Sequence, residues 1–297
     1  MTLAFEQPYR TGSPEAVPAT MRAAVLAGPG DLRVEDRPVP RPGPQEVLVR
    51  VEMCGACGTD LKILDGRFPG TPPYGQFVPG HEWAGVVARV GEDVDELAVG
   101  DRVCIEAHRG CARCDNCLVG RYTACLNYGR PGTGHRATGM TVNGGFAEYA
   151  VHHVGSLYRL PDHLGPEDGV LITTAGTGLH GLDRVGGFVA GQDVAIFGPG
   201  PIGTMTAVLC KLLGATRVVL VGTRTSRLER ARSLGVDHVV HAHEEDPVAA
   251  VRRLTGGRGV HTAVEASGDP RVPEQCAAVT RRGGRILVHA FYPEPVT

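Results

Sequence analysis

At 297 residues the chain is long enough for two medium cores, since single cores stop growing near ~250–300 residues. Hydrophobic residues at 42%, charged residues at 21%, 42 Gly and 22 Pro describe a globular composition and exclude long disorder or a collagen-like chain. With 30 basic and 32 acidic side chains the net charge is -2, so no cationic field exists to hold a phosphate backbone and nucleic acid is not an expected partner.

Residues 1–20 contain no basic n-region and no apolar h-region, and are expected to form a disordered, Pro-containing tail. No uncharged apolar run approaches the ~18 residues of a membrane span. Nine cysteines are too sparse for a disulfide scaffold, and their odd number suits a reducing, cytoplasmic setting. Over 21–165 the pattern is short and β-like, with strands predicted at Arg22–Ala27, Val47–Met53, Trp83–Val90 and Phe146–Val151 between Gly and Pro breaks. Over 166–297 strand and helix alternate. Asp193–Gly198, Arg217–Val221, Asp237–His241, Val260–Glu265 and Arg285–His289 read as strands, Ile202–Leu213 as an apolar helix and Ser226–Leu234 as an amphipathic one. The fold class predicted is α/β: a β-rich barrel-like domain, then a doubly wound parallel sheet.

Three constellations carry chemistry. Cys54-Gly55-Ala56-Cys57-Gly58-Thr59-Asp60, followed at a distance by Gly80-His81-Glu82, offers a thiolate, an imidazole and a carboxylate suited to an open catalytic zinc. A hydroxyl two residues beyond the thiolate could relay a substrate proton. On chemistry alone this grouping is no better than an unrelated Cys and His. Cys111, Cys114, Cys117 and Cys125 place four thiols within fifteen residues, as a closed structural zinc site requires. Buried free thiols and a nucleic-acid finger are the alternatives; the hydrophilic loop argues against the first and the balanced charge against the second.

The third is Gly198-Pro199-Gly200-Pro201-Ile202-Gly203, a G-x-G-x-x-G turn that ends a predicted strand and opens an apolar helix. Gly198 permits the turn, Gly200 lets backbone approach a pyrophosphate and Gly203 allows close helix–strand packing. The next strand ends in Gly222-Thr223-Arg224-Thr225-Ser226-Arg227, where a NAD-binding unit normally carries an acid for the ribose 2′-hydroxyl. Lacking a carboxylate and holding two guanidiniums, this loop suits a 2′-phosphate, so NADP is the preferred cofactor and NAD a possible one. A solvated basic turn is the other reading.

Together and in this order, these motifs resemble the zinc-dependent alcohol dehydrogenases of the medium-chain dehydrogenase/reductase superfamily, from Met21 to the end, nearest in look to the polyol and threonine dehydrogenase branch. The resemblance implies a GroES-like catalytic domain before a Rossmann domain. It also implies an oxidoreductase that transfers a hydride between a nicotinamide cofactor and an alcohol, polyol or amino alcohol. It places Cys57 and His81 on a catalytic zinc, Thr59 in the proton relay, the four-Cys lobe (111–125) on a structural zinc, and Arg227 near the adenosine ribose of either cofactor. Glu106-Ala107-His108 resembles that branch too, where the equivalent His lies near substrate; His108 is thus a second catalytic candidate, with a local loop bond equally open.

Three departures accompany the resemblance. The family's third zinc ligand should fall in Leu171–Gly176, where Thr173 or Thr174 stands; a neutral hydroxyl is a poor ligand, and Glu82 is expected to complete the shell. Lys62 stands where many members carry the outer His of the relay. Members usually continue past the strand at 283–289, so the Rossmann domain is expected to be incomplete, in a fragment or in a short form that pairs its edge as a homo-oligomer. The alternative function is a non-catalytic zinc- and dinucleotide-binding remnant.

Overall fold

The computed structural model describes residues 16–130 and 132–292. It divides into two units, Met1–Thr173 and Thr174–Thr297.

In the first unit, β1 (Thr20–Gly28) and β2 (Asp31–Pro38) form an antiparallel hairpin. There follow β3 (Glu46–Gly55), α1 (Gly58–Leu64), β4 (Glu82–Val90), β5 (Arg102–Ile105), β6 (His108–Arg109), α2 (Asp115–Leu118), β7 (Arg136–Ala137), β8 (Tyr149–His153), β9 (Leu157–Arg159) and α3 (Pro166–Gly169). The main sheet runs β8-β3-β4-β5-β9, antiparallel throughout. On β3, Val47 and Val49 join Trp83, Val87, Val103 and Ile105 in one core, while Leu48 packs with Met21, Ala23 and Val25 on the other face. Both faces are covered, which is why Val47–Val49 is continuously apolar rather than alternating. The register sets Gly55 opposite Glu82 and Cys54 opposite Trp83, bringing the loop after β3 to the start of β4.

The second unit contains α4 (Ile172–Arg184), which begins at the division, then β10 (Asp193–Phe197), α5 (Pro201–Leu212), β11 (Arg217–Gly222), α6 (Thr225–Ser233), β12 (His238–His241), α7 (Pro247–Leu254), β13 (Val260–Glu265), α8 (Val272–Val279) and β14 (Thr280–Val288). The strands are parallel in the order β12-β11-β10-β13-β14. Val194 and Ile196 face Leu182, Ala207 and Leu228 of α4, α5 and α6. Ala195 and Phe197 face Ala250 and Cys276 of α7 and α8. Strands buried between two helical layers read as uninterrupted apolar runs, which made this sheet visible in sequence.

Several expectations need correction. The units meet at 173/174 rather than 165/166, because α3 packs on β3, β4 and β5 of the first unit. The expected tail lies outside the described residues as far as 15. Residues 16–20 are already held: Ala19 accepts a 3.0 Å hydrogen bond from the Val39 amide, and Val17 packs beside Met21. The strand expected at Phe146–Val151 starts at Tyr149, since the Gly145 and Phe146 amides bond instead to Gly80 and Pro79. β2 was not visible because its Val34 is 72% exposed and gives no burial alternation.

One buried histidine gives the first unit an acid-labile core. His152 stacks near Trp83 with ring centroids 5.3 Å apart, bonds Thr138 at 3.2 Å, and is pushed down to about pKa 3 by burial and then by Arg136. A histidine whose folded pKa is depressed stabilises the fold above its unfolded pKa near ~6.5, and that stability is lost as pH falls from there towards 3. Urea unfolding followed by Trp83 fluorescence should weaken with a slope approaching ~1.4 kcal/mol per pH unit in that window, and His152→Phe should reduce that slope.

Candidate metal centres and cofactor turn

Cys57 caps the start of α1 in an extended conformation (φ -109°, ψ 158°), and its backbone N–H donates to Asp60 Oδ2 at 2.8 Å. His81 immediately precedes β4, and Glu82 is its first residue. Gly80, at φ +96°, makes the turn possible: a Cβ there would lie 2.7 Å from the Phe146 ring and 2.9 Å from Cys54 Sγ. One donor atom from each of Cys57, His81 and Glu82 lies within 4.8 Å of the others. His81 is 6% exposed, with Nε2 4.0 Å from Glu82 Oε1 and Nδ1 3.3 Å from Asp60 Oδ1 on its far side. Burial lowers the His81 pKa, but Asp60 and Cys57 more than offset it and push it up to about 10. Surroundings that favour a proton on a buried imidazole favour a cation, and a sulfur, nitrogen and oxygen donor set suits zinc with a position left open.

The lobe repeats this logic with four sulfurs. Cys111, Cys114, Cys117 and Cys125 bring their Sγ atoms within 4.8 Å of one another, with the 111–117 and 114–125 pairs each 3.9 Å apart. A tetrahedron with zinc–sulfur bonds of ~2.3 Å has edges of about 3.8 Å. The backbone amide of Arg113 and the Asn127 side chain, whose Nδ2 donates to Cys111 Sγ at 3.2 Å, lower the Cys111 thiol to about 6. Cys117 is driven up to about 12 by burial and by its neighbouring thiols. Four sulfurs so placed cannot all ionise without a cation among them, so this donor set fits a closed zinc site. Gly110 is required by close approach, for a Cβ there would stand 2.4 Å from Cys117 Sγ.

In the second unit, Gly198 adopts φ +108° at the end of β10, with its amide bonded to Val221 at 2.9 Å. A Cβ on Gly203 would sit 2.0 Å from the Gly198 oxygen, whereas one on Gly200 would meet nothing within 4 Å. Gly203 is therefore demanded by packing, and the backbone at Gly200, which caps α5, faces open space as a pyrophosphate requires. Pro201 and Ile202 form the first turn of α5. Gly222 ends β11 and is buried; Thr223, Arg224 and Arg227 around the start of α6 are exposed, and among the described residues neither guanidinium forms an ion pair.

Other residues stand differently from expectation. Thr59 is half-buried on α1, and its hydroxyl makes no hydrogen bond among the described residues. Thr173 donates to the Ile105 carbonyl at 3.0 Å. His108, on β6, makes no local loop bond through Nδ1, which is buried without a hydrogen-bond partner among the described residues; burial and then His135 and His81 push it down to about 4. Sequence reasoning assigned no role to Asp60, although its place three residues after Cys57 marks a helix start. It also missed Glu265, wholly buried at the end of β13. Glu265 Oε1 accepts from the Ser267 amide and hydroxyl at 2.6 Å and the Gly268 amide at 3.0 Å, fixing the loop whose backbone presses on Gly198.

Comparison with known proteins agrees with this geometry. A model of the alcohol dehydrogenase GroES-like domain matches residues 43–162, and one of the zinc-binding dehydrogenases matches 201–297. Sorbitol dehydrogenase of Bacillus subtilis is 34% identical over 273 residues, 92% of this chain and 75% of that protein. L-threonine 3-dehydrogenase of Thermococcus kodakarensis is 35% identical over 264 residues, 87% of this chain and 72% of that protein. A zinc-binding dehydrogenase of Sinorhizobium meliloti, solved with NADP bound, superposes with a TM-score of 0.87 at 33% identity over 94% of this chain and 80% of that one. No described helix is long and apolar enough to cross a membrane. A donor set suited to an open zinc site, a glycine turn before α5 and this degree of likeness lead to one conclusion: the chain belongs to the zinc-dependent alcohol dehydrogenases of the medium-chain dehydrogenase/reductase superfamily and is a nicotinamide-dependent oxidoreductase.

Proposed function

We propose that this enzyme interconverts a polyol or amino alcohol and the matching carbonyl, with Cys57, His81 and Glu82 holding a catalytic zinc, the four-Cys lobe a structural zinc, and NADP(H) as preferred cofactor. What carries the reading is the approach of the Cys57, His81 and Glu82 donors to within 4.8 Å of one another. Bound zinc supplies a Lewis acid at the substrate oxygen, and the nicotinamide supplies or accepts the hydride. Thr59 Oγ1, two residues past Cys57, would relay the substrate hydroxyl proton in oxidation, accepting it while passing its own proton on through the cofactor ribose hydroxyl to solvent, and would run the same exchange backwards in reduction. Asp60 Oδ1 stands at ion-pair distance, 3.3 Å, from Nδ1 of His81 and leaves Nε2 for the metal. His108, kept neutral, serves as a hydrogen-bonding group towards a second polar substituent of the substrate rather than as a charge. The sorbitol and threonine dehydrogenases among the relatives support a substrate with such a substituent. All nine thiols are free, in keeping with a cytoplasmic enzyme, and exposed Ile286 and Val288 on β14, an edge of the sheet, suit a homo-oligomer. No observation favours a non-catalytic remnant.

The cofactor reading rests on a loop without an acid, in which the Thr223 hydroxyl and the Arg224 guanidinium are exposed and available to a 2′-phosphate. The NADP-bound relative supports it. Arg227, on the first turn of α6, is assigned to the adenosine ribose and to affinity rather than choice. A charge-assisted bond contributes about 1.5–3 kcal/mol, so one exposed contact gives roughly ten- to a hundred-fold discrimination.

Titrating NADPH and NADH by nicotinamide fluorescence should show that preference, and Arg224→Ala should remove most of it; equal affinities in the unmodified protein would refute the cofactor reading. Metal analysis should find two zinc ions per chain. Cys114→Ser should lose one of them and lower the melting temperature, because metal binding contributes folding free energy. Glu82→Gln should lose the other, whereas Thr173→Ala should keep it; the reverse result would move the third ligand to Thr173.

A further inference from the structure

Gly222 is a glycine for want of space, not for its backbone conformation. Its φ lies outside the left-handed region that favours glycine, so backbone torsion does not exclude a side chain. A Cβ built there would lie 2.3 Å from Pro199 Cγ and 2.4 Å from Pro199 Cδ, with Leu228 Cδ2 next at 3.3 Å. Only the two ring carbons of Pro199 come nearer than any side chain tolerates. They cannot swing away, because the pyrrolidine ring is closed on its own backbone nitrogen. Nor can the turn yield as a whole. The Gly198 amide is bonded to Val221, a Cβ on Gly198 would lie 2.6 Å from the Ala266 oxygen, and that neighbouring loop is fixed by Glu265.

We propose that Pro199 and Gly222 form a steric lock that sets cofactor choice: the proline ring of the phosphate turn fills the space of the Cβ that an acidic residue at 222 would need. The role given to the lock rests on the NADP reading above; the lock itself does not. An acid at 222 cannot reach a ribose 2′-hydroxyl while Pro199 is present, and changing 222 alone distorts the turn that holds the pyrophosphate. Changing Pro199 to alanine removes both obstructing carbons and leaves Leu228 Cδ2 as the nearest atom.

Two arms test this. In thermal melts without cofactor, Gly222→Ala should lower the melting temperature by roughly 3–10 °C, and Pro199→Ala in the same chain should restore most of the loss, a non-additivity expected of atoms in contact. In fluorescence titrations, Gly222→Asp alone should bind both NADPH and NADH more weakly than the unmodified protein does. Pro199→Ala with Gly222→Asp should bind NADH at least roughly tenfold tighter than the single variant and prefer it to NADPH. Gly222→Ala melting like the unmodified protein, or Gly222→Asp taking NADH as well as the double variant, overturns the lock. If the unmodified protein binds both cofactors equally, the NADP reading fails and the melts still decide the lock.

Discussion

The first unit surrounds one buried imidazole with acidic groups: Asp60 on one side, Cys57 and Glu82 on the other. Burying such groups together is unfavourable unless positive charge joins them, and the raised pKa of His81 expresses that demand. Much of the local architecture serves this gathering. The β3–β4 register sets Gly55 against Glu82, Cys57 caps α1 with its amide held by Asp60, and Gly80 turns the chain where only a glycine fits between Phe146 and Cys54. The lobe meets the same constraint with four sulfurs and amide donors that favour thiolate. At both proposed metal sites folding and cation binding would be one event.

The second unit answers a different constraint, close approach of backbone to backbone. β10 ends in a turn confined by Val221 on one side and the Ala266–Ser267 segment on the other, and α5 starts near enough that Gly203 touches the Gly198 oxygen. Glu265 matters because it sits beneath this confinement: one carboxylate oxygen accepting three donors makes the loop after β13 rigid, and the rigid loop is what Gly198 leans on. A turn held this way can present its outer face at Gly200 to a pyrophosphate without rearrangement, which lowers the ordering cost of binding.

How much of this could be read from the chain follows from the range of each interaction. The parallel sheet was legible because strands covered on both faces are apolar without interruption, as Val194–Phe197 and Val218–Val221 are. The lobe was legible because its four sulfurs lie close in sequence. The grouping of Cys57 with His81 was suggested by family resemblance and that of Glu82 by its place beside His81, since strand register, and not spacing, brings position 57 to 81. Asp60, Glu265 and the contact of Pro199 with Gly222 lay beyond sequence reading. The Pro199–Gly222 contact joins two elements that no local pattern pairs, and the roles of Asp60 beside His81 and of Glu265 beneath Gly198 likewise depend on what lies next to them in the fold. The hairpin strand β2 escaped for the opposite reason: its exposed Leu32 and Val34 leave no burial signal at all.

The proposed third donor, Glu82, follows from the same geometry. A threonine at 173 would bring a neutral hydroxyl, and its Oγ1 is already committed to the Ile105 carbonyl. Glu82 is adjacent to His81 and opposite Gly55, where the absence of a side chain leaves room: a Cβ on Gly55 would come within 3.0 Å of Glu82 Oε2. The proposed ligand set therefore moves one anionic donor next to the imidazole, and every donor then comes from the cap of α1 or from the two residues that lead into β4. Such a set is assembled by a single antiparallel register. A one-residue slip between β3 and β4 would disperse the whole centre rather than weaken one ligand of it.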